Sequence, residues 1–149
     1  MKLIDVEPQN AKTAVTTLSS LLRKSLISGK ENLISLEEEM EIVSNYLDLE
    51  KIRFEERLTI EWDLDSKLNS FSIPPFCVQT LVENAIKHGV SKQIEGGFIK
   101  IRSYISEGKM IVSIENTGSL GSTPDTGIGI ENTKRRLAIQ YKGKADFVL

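Results

Sequence analysis

A chain of 149 residues, 40% hydrophobic and 27% charged, has the size and composition of one globular domain with room for a real core. Its net charge of -2 offers no broad attraction to nucleic acid or acidic lipid, which argues against a basic DNA-binding module. A single cysteine, Cys77, excludes an intramolecular disulfide framework; with no metal-ligand spacing around it, it reads as a small core hydrophobe. No stretch approaches the roughly 18 apolar residues of a membrane span and no signal peptide opens the chain, so the segment as given reads as soluble.

From Pro8 to about Ser28, Ala11, Ala14, Val15, Leu18, Leu21, Leu22 and Leu26 outline an amphipathic helix that Gly29 would stop. Ser35 followed by Glu38 is a capping-box signature. The helix it opens carries Leu36, Met40, Val43, Tyr46, Leu47 and Leu49 on its apolar side and Glu37, Glu38, Glu39, Glu41 and Lys51 on a face expected in solvent. Such a helix pair can close on itself or form half of a dimer bundle, and the residues alone favour neither. Arg57 to Asp63 reads as a strand with Leu58, Ile60 and Trp62 on one face, placing Trp62 in the core or at its edge. Phe98 to Ser106 and Lys109 to Glu115 alternate as two strands around Glu107-Gly108, a hairpin turn. The stretch from Ser119 to Thr126 has no periodicity and reads as a mobile loop. Beyond a helix that ends near Tyr141 to Gly143, Ala145 to Leu149 looks like the start of another strand.

The chemistry concentrates in two stretches. Pro74 and Pro75 suit a helix entry, after which Val78, Leu81, Val82, Ala85 and Ile86 form an apolar seam. At about 100° per residue, Glu83, Asn84, Lys87 and His88 gather on the opposite side. An amide oxygen can ligate Mg²⁺, and a lysine one turn on can neutralise phosphate. Polar residues opposite a seam are also what an ordinary solvated face looks like, so this helix alone leaves both readings open. The second stretch runs IVSIENTG from Ile111 to Gly118, and further on Gly127, Ile128, Gly129 and Ile130 open a helix containing Asn132 and Arg136. Glycines just before a helix let backbone amides approach an anion at the positive end of its dipole.

This order of parts resembles the ATP-binding domain of the GHKL ATPase superfamily: an asparagine helix, a strand ending in Asn-Thr-Gly, and a Gly-Ile-Gly-Ile-x-Asn-x-x-x-Arg-Leu helix. More narrowly, with SLEEEMEIVSNYLDLEKIRFEERL from Ser35 to Leu58, it resembles the LytS/YehU-type bacterial sensor histidine kinases. The resemblance covers nearly everything from about Leu18 onward. It implies an α/β two-layer fold of the Bergerat type, with a mixed, mostly antiparallel sheet and helices on one face. Residues 1–55 would be a helical remnant of a dimerisation region, and residues 56–149 an ATP-binding catalytic domain truncated at its C-terminal end.

Under the resemblance, ATP and Mg²⁺ are the cofactors and Asn84 is the metal ligand. Lys87 would meet a phosphate, and His88 would touch adenine or ribose or else act as a local cap. Asn116, where many relatives carry an aspartate, would face the adenine amino group, with Gly118 beneath the base. Gly127, Gly129 and Ile130 would present the phosphate-binding turn below a lid at 119–126, with Asn132 and Arg136 supporting lid or phosphates, and Glu83 would orient or activate water. The family's acceptor histidine lies in a segment like His-Phe-x-Phe-Asn that this sequence lacks. His88 is the only histidine, so this chain is not expected to phosphorylate itself in isolation. The implied partners are a response regulator and a second copy in the intact protein, with the chain as the cytoplasmic portion of an inner-membrane receptor. Two further readings stay open: a hydrolytic GHKL-type ATPase with Glu83 as base, and a non-enzymatic adaptor with a decayed pocket.

Overall fold

The computed structural model describes residues 33–118 and 128–142, together with 11, 14, 15, 18, 22, 144–146 and 148. The capping box forms as its spacing requires. The Ser35 hydroxyl accepts from the Glu38 amide at 3.2 Å, and the Glu38 carboxylate accepts from the Ser35 amide at 2.8 Å, closing the start of α1 (Leu36–Phe54). Ile34–Ser35 (β1) pairs antiparallel with Ser72–Ile73 (β3), a short ribbon that fixes the entrance of α1. Neither strand is long enough to show a period in the sequence.

The main sheet has three strands in the order β2 (Leu58–Leu64), β4 (Gly97–Ser106), β5 (Lys109–Asn116). β2 and β4 are parallel, so their connection has to cross over, and it contains α2 (Cys77–Asn84). β4 and β5 are antiparallel around Glu107 (φ 51°) and Gly108 (φ 73°); two successive positive φ values are what a two-residue turn needs to follow the strands' twist. One face of this sheet is wet and charged. Lys100 pairs with Glu61 at 3.4 Å, and Arg102 pairs with Asp63 at 3.1 Å and Glu115 at 3.8 Å. The other face carries Ile99 and Ile101, both fully buried beneath the helices.

The core joins Leu36, Met40, Val43, Leu47 and Phe54 of α1 to Val78, Val82, Ala85 and Ile86, over Leu58, Ile99 and Ile101. The fold is therefore α/β with a mixed sheet covered by helices on one side, as expected, and two of its three strand pairings are antiparallel. Among the first helix's described residues, Ala11, Ala14, Val15, Leu18 and Leu22 are helical; Ala11 is buried while Val15, Leu18 and Leu22 are exposed.

Four expectations are corrected. Glu39 is not on a solvated face: it is fully buried. Trp62 is 40% exposed, at the edge of the core and not inside it, and Leu64 beyond it on β2 is exposed as well. Pro74 and Pro75 precede the helix and are not its first turn; α2 begins at Cys77, and Phe76 is the residue before it, in a left-handed conformation (φ 64°). Residues 144–146 and 148 carry no strand, although Lys109 reaches Asp146 at 3.5 Å. The lid at 119–126, and Gly127, lie outside the described residues.

Candidate nucleotide site

The apolar seam of α2 is buried at Val78, Val82, Ala85 and Ile86, while Leu81, also expected in it, is only half-buried. Polar residues are thereby turned to the rim: Glu83 and Lys87 are exposed, and Asn84 and His88 are half-buried. The helix does not run straight to its end, however. After Asn84 it widens into a π-turn, Ala85–Gly89, and then tightens to a 3₁₀ turn, Val90–Lys92. Lys87 and His88 thus sit in the expanded turn and not in regular α-helix, and an expanded turn of this kind often marks a functional segment.

Within α2 the Asn84 side chain is held by its own backbone. Its Nδ2 donates to the Thr80 carbonyl at 2.8 Å, which leaves Oδ1 as the atom available to a hard cation. Glu83 accepts from Gln79 Nε2 at 2.8 Å. On the facing side of α1, burial raises the Tyr46 phenol pKa, and the charges of Glu50 and Glu83 raise it further. Cys77 is buried, and burial pushes its thiol up to about 12 with help from the Glu39 charge, which makes it a packing residue.

The end of α2 and the end of β5 meet. Asn116 pairs with Ile99 in the ladder and so projects on the helix-covered face of the sheet. Its Nδ2 donates to the Thr117 carbonyl at 3.0 Å, leaving Oδ1 as an acceptor. A Cβ on Gly89 would overlap the Asn116 side-chain amide, and one on Gly118 (φ 109°) would lie 2.9 Å from the Gly89 Cα. The two glycines allow this approach, and it brings Gly89, Asn116 and Gly118 into one corner, with His88 next to Gly89 in the chain.

α3 (Ile128–Tyr141) packs back along α2. The Tyr141 hydroxyl donates to the Ser72 carbonyl at 2.7 Å, which ties the end of α3 to the strand before α2. Ile130 and Thr133 are buried in that contact, whereas Asn132 and Arg136 are exposed. Gly129 lies in the first turn of α3, about 10 Å along the axis from Arg136.

The residue that sequence reasoning missed is Glu39. Its Oε2 accepts from the Phe76 amide at 2.8 Å, and its Oε1 from the Val78 and Gln79 amides at 3.0 and 3.1 Å. Burial raises its pKa, and the three amides and Arg136 oppose the rise. Within a run of three glutamates nothing local distinguishes it.

Comparison with known proteins follows the same lines. The histidine kinase family pattern matches residues 1–58. The sensor protein LytS of Staphylococcus saprophyticus is 31% identical over 149 residues, covering 91% of this chain and 25% of that protein. The chain belongs to the LytS-type histidine kinases. A second histidine kinase, BtsS of Escherichia coli, is 32% identical over 137 residues, covering 91% of this chain and 24% of its own length. This LytS-type chain thus spans about a quarter of the length of these two relatives. A solved histidine kinase domain, from the Erythrobacter litoralis EL346 blue-light activated histidine kinase, shares the fold with a TM-score of 0.52 at 18% identity, over 91% of this chain and 68% of that one. Among the described residues no helix is long and apolar enough to cross a membrane.

Proposed function

We propose that this chain is the ATP-binding catalytic portion of a two-component sensor histidine kinase, holding Mg-ATP for transfer to a histidine outside the chain and onward to a response regulator. One observation carries the reading: Gly89, at the end of the Asn84 helix, is in direct contact with Asn116 and Gly118 at the end of β5. Asn84 Oδ1 would hold the metal and Lys87 a phosphate, while Asn116 Oδ1 would accept from the adenine amino group over Gly118. His88 would stand at the edge of the base, and Gly127, Gly129 and Ile130 would supply amides to the phosphates. Asn132 would support that turn. Arg136, exposed one turn further along α3, would support the lid or the phosphates.

Bound Mg-ATP would bring the phosphoryl group and the charge that assists its departure. The protein's own part is to bind, to orient, and to keep its amides preorganised. Titration of the chain with a non-hydrolysable ATP analogue and Mg²⁺ tests the reading. Saturable heat that disappears in Asn84→Ala supports it; no heat at millimolar nucleotide supports an adaptor with a decayed pocket. Turnover of ATP abolished by Glu83→Gln would instead mark a hydrolytic enzyme.

A further inference from the structure

The start of α2 has an unusual construction. Phe76 offers no capping side chain and holds a left-handed backbone that a bulky residue rarely adopts. The first amides of a helix need acceptors, and here they come from another element. The Glu39 carboxylate, projecting from α1 and fully buried, takes the amides of Phe76, Val78 and Gln79 within 2.8 to 3.1 Å. Gln79 continues the connection, because its side chain donates to Glu83, the neighbour of Asn84.

We infer that Glu39 is a positioning residue, the joint through which α1 sets the axial placement of the Asn84 helix and hence the shape of its π-turn. A rigid eight-residue helix fixed at its first turn carries Asn84 to a defined point, and the expanded turn at Ala85–Gly89 takes up the remaining length before Gly89 meets Asn116. Displacement of α1 would move Asn84 and Gly89 relative to the sheet, which connects the segment matching the histidine kinase pattern, residues 1–58, to the nucleotide corner. The effect on nucleotide rests on the function proposed above, whereas the mechanical joint does not.

The test is amide hydrogen exchange on the nucleotide-free chain, followed by titration with the ATP analogue. Glu39→Gln keeps the size but exchanges one accepting oxygen for an NH₂ group that cannot accept; Asp48→Asn, on the exposed side of α1, is the control. Exchange is expected to rise about tenfold at Phe76, Val78 and Gln79 and equally across Ala85–Gly89, with Ile99 and Ile101 unchanged. Analogue affinity should fall about tenfold in Glu39→Gln and stay level in Asp48→Asn. A rise confined to Phe76, Val78 and Gln79 would show a local cap only and overturn the inference, whether or not nucleotide binds. If Glu39→Gln does not fold, Glu39→Asp, which keeps the charge but shortens the reach, gives the same exchange comparison. Absence of analogue binding by the unaltered chain would count against the proposed function and leave the exchange result to decide the joint.

Discussion

Glu38 and Glu39 are neighbours in sequence with opposite responses to pH. Glu38, in its capping box, has its pKa lowered chiefly by the Ser35 amide, so it stabilises the fold above the unfolded carboxylate value and loses that contribution as pH falls through its folded value. Glu39 has its pKa raised by burial, so its contribution is fully present below the unfolded value and declines as pH rises through the folded one. Denaturant melts between pH 3 and 8 should show it: relative to the parent chain, Glu38→Gln loses most near neutrality, while the deficit of Glu39→Gln grows on acidification. Cys77 gives a second measurement at this scale. With its thiol pushed up to about 12 inside the core, it should alkylate slowly at pH 8 until denaturant exposes it. Its buried character could be read from the sequence, because an apolar neighbourhood at helical spacing is local information. The role of Glu39 could not, since its three acceptor contacts lie 37 to 40 residues away.

At the scale of elements, the capping box and the β4–β5 hairpin were legible because each is specified by residues within a few positions of one another. Ser35→Ala should cost about 1 kcal/mol in thermal or chemical melts, the usual loss for a helix cap. The π-turn was not legible, because the apolar seam through Ala85 and Ile86 reads equally well as continuous α-helix. Its end, Gly89, has no room for a side chain. Gly89→Ala would drive a methyl into Asn116 and against the Thr117 carbonyl, and should destabilise the chain by about 1–3 kcal/mol as well as weakening nucleotide binding. A Gly89→Ala chain that melts normally and binds the analogue normally would show that the glycine contact is dispensable.

For the molecule as a whole, the pattern of residues gave the layer order correctly, since alternation in β4 distinguishes Ile99 and Ile101 from Lys100 and Arg102. It could not show how deeply each residue of that face is covered, and Trp62 is the example: it pairs with the buried Ile101 yet is 40% exposed. The parallel pairing of β2 with β4 has one more outcome, for the order in which the protein is made. Residues 77–84 leave the ribosome before residues 97–106, so the nascent asparagine helix has no floor of Ile99 and Ile101 to rest on until the later strand has emerged and docked beside the earlier one. The corner shared by Gly89 and Asn116 must then wait longer still, until the last residue of β5 has followed.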